Sequence, residues 1–207
     1  MNNESSRHSK HLAPSQRRLQ READFTGQRL NSFRQVLLRH GLPGFLIGLL
    51  LLIPSDLRAL LSPQNHRLEE HLPIYGLGFL GIFCFSLCWS WYIDRRISWA
   101  QAGWIFYLLL VSIWEEWVFR VALPTLIVPL EVQFTTAVLI SNILFGAVHY
   151  FTLRWKASWC LLAFLGGMGF SHNYAELGDL FVIIGIHWLA TFINTPRLPG
   201  SRPGNSA

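Results

Sequence analysis

Apolar residues dominate six runs of this chain, and short polar or charged stretches separate the runs. The clearest run extends from Leu72 to Ile93 and stops at residues 94–96, so it has the ~20 residues that a helix needs to cross a bilayer. The other runs cover residues 42–53, 97–123, 134–151, 157–170 and 177–193. This pattern predicts an all-α, polytopic membrane helix bundle of about six transmembrane helices, with seven or eight also open.

Prolines leave the number of crossings open. The first run is short and Pro54 interrupts it, although it extends to Leu61 if the interruption is tolerated. Pro124 and Pro129 break the stretch after the third run, because proline removes a backbone donor from a helix. That stretch either dips into the membrane or lies at its face.

The composition agrees with a membrane protein. Hydrophobic residues make up 51% of the 207 residues, and charged residues make up only 14%, against ~25% in a soluble domain. The chain also holds 9 Trp, a residue that collects at membrane interfaces. These features predict an integral membrane protein.

Positive charge is concentrated at the N-terminus. The net charge is +5, and eight of the 17 Lys and Arg residues precede His40. With apolar runs directly downstream, a cytoplasmic tail facing lipid headgroups is favoured over nucleic-acid binding. Counting the later basic pairs by the same rule keeps the N-terminus cytoplasmic in a six-helix topology.

These patterns divide the chain into three parts. Residues 1–40 are predicted to be a basic, largely disordered cytoplasmic tail, in which residues 30–39 form either a helix on the membrane surface or an extension of the first span. Residues 41–194 form the membrane-embedded domain. Residues 195–207, rich in Pro and Gly, are predicted to be a disordered C-terminal tail.

Two adjacent acids, Glu115 and Glu116, lie inside the third apolar run. A charge at the centre of a membrane helix costs roughly 2.5 kcal/mol or more, and such residues usually mark a function. Glu116 precedes Arg120 by four residues, which is a favourable order for a helical ion pair. Glu115 is rotated by ~100° from Glu116 and has Phe119 in the equivalent place. Glu116 and Arg120 therefore look like a supporting pair, and Glu115 is the candidate catalyst.

Two histidines in later apolar runs are candidate partners of Glu115. His149 shares a helix face with Phe145, and His187 shares one with Thr191 and Asn194. One Glu and two His suit either of two chemistries. They can ligate Zn²⁺ and leave a position open for water, or Glu115 and His149 can activate water directly while His187 stabilises an oxyanion.

A simple topology places these groups at different depths. On straight spans, Glu115 lies near the outer end of its helix and His149 near the inner end of the next. At ~1.5 Å per residue, the mismatch is on the order of 10 Å. Tilt, or a helix–loop dip around Pro124, is needed for the two residues to meet.

Three motifs of the chain resemble those of one known family. They are Glu115-Glu116-x-x-x-Arg120, then Phe145-x-x-x-His149, then His187 in a late apolar helix. In this order they are similar to the motifs of the CAAX protease and bacteriocin-processing (CPBP, or Abi) intramembrane protease family. The resemblance covers roughly residues 100–195. It implies an all-helical membrane bundle that hydrolyses peptide bonds within or beside the membrane.

The resemblance also implies roles for these residues. Glu115 is the water-activating base, His149 its partner, and His187 an oxyanion stabiliser or third ligand, with Glu116 and Arg120 in support. If a metal such as Zn²⁺ is used, Glu115, His149 and His187 are its expected ligands. The family often has Asn four residues after the last histidine, whereas this chain has Thr191 there and Asn194 further on.

The expected partners and location follow from the same resemblance. The substrate is a membrane-associated peptide or protein in the bilayer of a bacterial-type plasma membrane. Eukaryotic relatives remove the last three residues of prenylated proteins, and some bacterial ones confer bacteriocin immunity. A non-catalytic membrane scaffold or immunity protein with the same fold is therefore the alternative to an endopeptidase, and Thr191 motivates it.

Overall fold

The computed structural model describes residue 30, residues 32–57 and residues 67–200, and these ranges contain helices and no strand. This confirms the all-α prediction. Residues 1–29, which are predicted to be disordered, and the chain after residue 200 lie outside the described ranges, as do residues 62–66 of the polar loop predicted at residues 62–71. The rest of that loop is helical instead, because the second helix already begins at Arg67.

Six long helical segments account for most of the described residues. Three of them contain π-helical turns, which leave the helix continuous but widen one turn. The segments are α1 at residues 33–50, α2 at Arg67–Asp94, α3 at residues 99–130, α4 at residues 134–153, α5 at Ala157–Leu177 and α6 at Leu180–Asn194.

Two of these segments are long and apolar enough to cross a membrane. Within α2, His71–Asp94 has a mean hydropathy of 1.8, and only 6% of its most apolar stretch is buried inside the protein. Phe134–Leu153 in α4 has a mean hydropathy of 1.5, and α6 is apolar but shorter. A long apolar helix that is almost unburied needs a lipid or protein partner. The described helices therefore indicate insertion into a membrane.

Helix α3 lies at the centre of the packing, against α1, α2 and α6, while α4 packs on α5. Several buried indoles on α3 and α6 donate hydrogen bonds to backbone carbonyls of neighbouring segments. Trp117 donates to the carbonyl of Gly48 at 3.1 Å, and Trp188 donates to that of Ile105 at 2.9 Å. These bonds satisfy the polar atom of a large apolar side chain, so the core is both apolar and specific.

Helix α3 is longer than its apolar run predicts, because it continues through Pro124 to Leu130. Pro124 lies two residues after the π-helical turn Trp117–Ala122. The regular bonding pattern is already interrupted there, so the helix passes the proline without ending. The expected break after residue 123 is thus replaced by a continuous helix, which ends in the 3₁₀ turn Val128–Leu130.

Residues after α6 fold back onto the bundle. The guanidinium of Arg197 pairs with Asp94 at 2.8 Å, and the side-chain amide of Gln101 donates to the carbonyl of Pro196 at 2.7 Å. The beginning of the predicted C-terminal tail is therefore held at the end of α2 and the start of α3.

Candidate active site

The carboxylate of Glu115 is surrounded by three histidines from three other helices. Its Oε1 atom lies 3.0 Å from Nε2 of His40 and 3.6 Å from Nε2 of His149. Its Oε2 atom lies 3.4 Å from Nε2 of His187. Glu115 is 1% exposed and none of the histidines exceeds 6%. The three residues predicted as catalytic thus meet in one buried cluster, together with His40.

The partners of Nδ1 fix the orientation of the two predicted histidines. Nδ1 of His149 donates to the carbonyl oxygen of Phe145 at 2.8 Å, and Nδ1 of His187 donates to Oε1 of Glu116 at 2.6 Å. In each ring, the other nitrogen, Nε2, therefore faces Glu115. Such bonds to the far nitrogen hold a functional imidazole in one tautomer and one orientation.

His40 is the site residue that the sequence analysis missed. It lies on α1, and the sequence analysis assigned it to the N-terminal tail. Its Nδ1 lies 2.8 Å from Oγ1 of Thr152, which itself donates to the carbonyl of Val148 at 2.6 Å. The available signal was a histidine two residues before an apolar run, and residues 37–40 continue the helical pattern of that run.

Glu116 and Arg120 form the ion pair that their spacing predicts. Nε of Arg120 lies 3.0 Å from Oε2 of Glu116, and both side chains are fully buried. Nη1 of Arg120 also donates to Oδ1 of Asn142 at 2.9 Å. Glu116 in turn accepts the hydrogen bond from His187. The pair therefore neutralises a buried acid and at the same time positions a histidine of the cluster.

Phe145 connects the histidines and the arginine. Its ring packs edge-on against His149 at 4.6 Å and against His187 at 6.0 Å between centroids. The guanidinium carbon of Arg120 lies 4.7 Å from the centre of the same ring, within the range of a cation–π contact. Phe145 thus holds three functional groups in place and contributes its carbonyl to His149.

Thr191 and Asn194 are less closely connected with the cluster. Thr191 is half-buried, and its carbonyl accepts a hydrogen bond from Oγ1 of Thr195 at 2.7 Å. Asn194 is exposed near the end of α6. Within the described residues, no hydrogen bond joins either side chain to Glu115 or His187. Their support of an oxyanion therefore stays a prediction from the sequence.

π-helical turns carry or adjoin the functional residues. His40 lies in Leu37–Gly41 of α1, His149 begins His149–Leu153 of α4, and Trp117–Ala122 of α3 directly follows the two acids. A π turn rotates the following residues relative to a regular helix and is frequent at functional sites. The three turns aim these side chains at one point.

The donor atoms around Glu115 suit a divalent metal. His40, Glu115 and His149 each offer one ligand atom, and these atoms lie within 4.8 Å of one another. Two imidazoles and one carboxylate are a donor set that Zn²⁺ accepts, and the ion would act there as a Lewis acid. This set has His40 where the sequence analysis expected His187, because Nδ1 of His187 is bonded to Glu116 and its Nε2 faces the other carboxylate oxygen.

One family comparison bears on this site. Residues 97–193 match the model of the family described as type II CAAX prenyl endopeptidase, Rce1-like. The match confirms the resemblance that the three motifs indicated. It includes Glu115, His149 and His187, while His40 lies outside it. No curated protein and no solved structure matches the chain.

Proposed function

We propose that this chain, whose residues 97–193 match the model of the Rce1-like CAAX endopeptidase family, is an intramembrane endopeptidase. Its substrate would be a membrane-associated protein or peptide that enters the bundle from the bilayer. The observation that supports this proposal best is the carboxylate of Glu115, buried and within 3.6 Å of Nε2 of His149 and of His187.

The proposed reaction is hydrolysis with a water molecule as the nucleophile. Glu115 takes one proton from the water, and the resulting hydroxide adds to the carbonyl carbon of the scissile peptide bond. His149, beside Oε1, orients the water. The proton on Glu115 then moves to the amide nitrogen as the C–N bond breaks, which gives a free amine and a carboxylic acid.

His187 has a different place in this scheme. When its ring carries both protons, Nδ1 donates to Glu116 at 2.6 Å and Nε2 donates toward the cluster. A donor fixed in that position can stabilise the negative oxygen of the tetrahedral intermediate, and losing one such donor typically costs 10²–10³-fold in rate. Glu116 and Arg120 keep the ring in this position.

The membrane setting follows from the helices. We expect all six segments to cross the bilayer. The N-terminus would then be cytoplasmic, because the basic residues of the N-terminal segment and of the connections after α2 and α4 all lie on the same side of the membrane. The turn of residues 154–156 lies beside the cluster, since the rings of Trp155 and His149 are 4.6 Å apart. Substrate would then be cut close to the cytoplasmic face.

Purified protein in liposomes provides the test. Three peptides of one sequence would be supplied, one with a prenyl anchor, one fused to a transmembrane helix and one soluble, and products would be identified by mass spectrometry. We expect cleavage of an anchored peptide and not of the soluble one. The anchored form that is cut identifies the substrate class.

The matched variants are Glu115→Gln and Glu176→Gln. Glu115→Gln keeps the shape and removes the base, so the cleavage rate should fall by at least ~100-fold, and His149→Ala should lose a similar amount. Glu176 is exposed at the end of α5, so Glu176→Gln should cleave like the unchanged protein. Unchanged cleavage by Glu115→Gln would contradict the mechanism.

A non-catalytic membrane scaffold or immunity protein remains the alternative function. Within the described residues, no hydrogen bond joins the side chain of Thr191 to the cluster, which favours this alternative because the family often has Asn in that position. Cells that carry Glu115→Gln instead of the unchanged gene discriminate the two functions. The readout is whichever phenotype the unchanged gene confers on these cells. Its loss with Glu115→Gln supports the endopeptidase, and its retention supports the scaffold.

A further inference from the structure

His40 is the member of the cluster that lies outside the family match. It comes from α1, and its Nε2 atom is, at 3.0 Å, nearer to Glu115 than that of His149 or His187, which both lie within residues 97–193. It is 3% exposed. We propose that His40 completes a divalent-cation site with Glu115 and His149, in which Nε2 of each histidine and Oε1 of the glutamate are the ligand atoms.

The hydrogen bonds of His40 and His149 leave an electron pair on each Nε2. Thr152 uses its hydroxyl proton toward the carbonyl of Val148, so its oxygen accepts from Nδ1 of His40. The carbonyl of Phe145 can only accept, so Nδ1 of His149 is also a donor. Each neutral ring then has its proton on Nδ1 and its electron pair on Nε2.

When both rings are neutral, the two Nε2 atoms and Oε1 of Glu115 meet without a proton between them. Nε2 of His40 and of His149 both lie near Oε1 of Glu115, and a neutral ring with its proton on Nδ1 cannot donate to that oxygen. A second proton on His40 would give an ordinary hydrogen bond at 3.0 Å, but it would leave the electron pair of His149 facing the same oxygen. A divalent ion satisfies the three donors at once and offsets the buried negative charge of Glu115. Buried charges of this kind are held by pairing or by a metal.

The separations of the donor atoms fit a small ion. Zn–N and Zn–O bonds are about 2.0–2.2 Å, so neighbouring ligands in a tetrahedral shell lie roughly 3.3–3.6 Å apart. The observed separations from Oε1 of Glu115 are 3.0 and 3.6 Å, close to that range, and all three ligand atoms lie within 4.8 Å of one another. Thr152 and the Phe145 carbonyl provide the outer hydrogen bonds that metal-binding histidines usually have.

The second carboxylate oxygen of Glu115, Oε2, is not a ligand atom in this proposal. Oε2 of Glu115 faces His187 rather than His40 or His149, so it remains available to accept a proton. The catalytic use of the site rests on the proposed function, but metal binding itself is measurable without any cleavage.

Metal binding by the full chain in nanodiscs tests the proposal. The protein would be stripped with a chelator, titrated with Zn²⁺ and analysed for bound metal. Co²⁺ would replace Zn²⁺ for visible absorption and for X-ray absorption of the ligand shell. We expect about one equivalent of metal and a shell that contains two imidazoles.

Three variants distinguish a ligand from a neighbour. His40→Ala should weaken Zn²⁺ binding by more than ~100-fold and remove one imidazole from the Co²⁺ shell. Thr152→Val should weaken it by ~10–100-fold and keep both imidazoles, because it removes only an outer hydrogen bond. His172→Ala, at an exposed position on α5, should bind metal like the unchanged protein.

The melting temperature of metal-free His40→Ala, compared with that of the metal-free unchanged protein, shows whether the variant is folded. If it does not fold, His40→Gln and Thr152→Val carry the test. Unchanged Zn²⁺ affinity in these His40 variants, or a complete lack of metal in the unchanged protein, overturns the proposal. A lack of bound metal together with cleavage that persists in chelator would refute the metal site and leave the endopeptidase standing. Bound metal without cleavage would refute the endopeptidase and leave the site standing.

Discussion

Glu115 and Glu116 are adjacent in sequence, but their carboxylates have different partners. Glu116 is neutralised by Arg120 on its own helix, whereas the partners of Glu115 are histidines from other helices. The difference arises from the ~100° rotation between consecutive helical residues. One acid therefore serves the stability of the bundle and the other is available for chemistry.

The ion pair predicts a strong effect of Arg120 on stability. Arg120→Met leaves the carboxylate of Glu116 buried with only His187 as a partner, so the free energy of unfolding should fall by about 3–5 kcal/mol. The measurement is denaturant unfolding in bicelles, followed by Trp fluorescence. Arg96→Met, at an exposed position before α3, should change stability by less than ~0.5 kcal/mol.

A double variant separates the charge from the packing. Glu116→Gln combined with Arg120→Met removes both charges, so it should be more stable than Arg120→Met alone, because no buried charge is left unpaired. If the double variant is the less stable of the two, packing of the arginine against Phe145 is the larger contribution.

At the scale of elements, α1 approaches α3 closely enough for His40 to reach Glu115. Three glycines of α1, about one helical turn apart, face aromatic side chains of α3: Gly41, Gly44 and Gly48. A Cβ at Gly41 would overlap Tyr107, and one at Gly44 would overlap the indole of Trp114. The close contact of the two helices therefore depends on glycine, which has no side chain, as in other membrane helix pairs.

Gly44→Ala should separate α1 from α3. The added methyl group has no space beside Trp114, so the free energy of unfolding should fall by about 1–3 kcal/mol. Because α1 carries His40, Zn²⁺ affinity should fall as well. Gly76 on α2 has nothing within 4 Å of an added Cβ, so Gly76→Ala should keep both stability and affinity. Equal effects of the two substitutions would contradict this account of the helix pair.

At the scale of the whole molecule, the turn between α3 and α4 sets the height of the site. Glu115 lies fifteen residues before Leu130, the last residue of α3, and His149 lies fifteen residues after Phe134, the first of α4. Two antiparallel helices joined by a short turn bring such positions to the same level. The expected 10 Å mismatch is absent because α3 extends past Pro124.

The proposed orientation gives a labelling prediction. Arg96 precedes α3 and Gln133 follows it, and both are exposed. In a variant without the native cysteines, Gln133→Cys should react with a membrane-impermeant maleimide added to intact cells, and Arg96→Cys should react only after the cells are opened. The reverse pattern would place the N-terminus outside. Labelling of both in intact cells would contradict a crossing by α3.

Local features of the sequence determined the helical class, the membrane character and the pairing of Glu116 with Arg120. Each depends on composition or on residues within one or two helical turns, so periodicity is sufficient to predict it. The same holds for the three motifs, which indicated the family that residues 97–193 match. The prediction of Glu115, His149 and His187 as catalytic residues depends on those motifs and awaits the cleavage test.

Only the tertiary structure decided what meets across helices. His40 and Glu115 are 75 residues apart, and no period in the sequence connects them. The sequence also does not show which glycine of α5 lies in a close helix contact. A Cβ added at Gly167 would overlap Asn142, whereas Gly166 and Gly169 have open space around them. Which face of a helix is buried, and at what height, depends on the packing of its neighbours. That packing gathers His40 of α1, His149 of α4 and His187 of α6 around the carboxylate of Glu115.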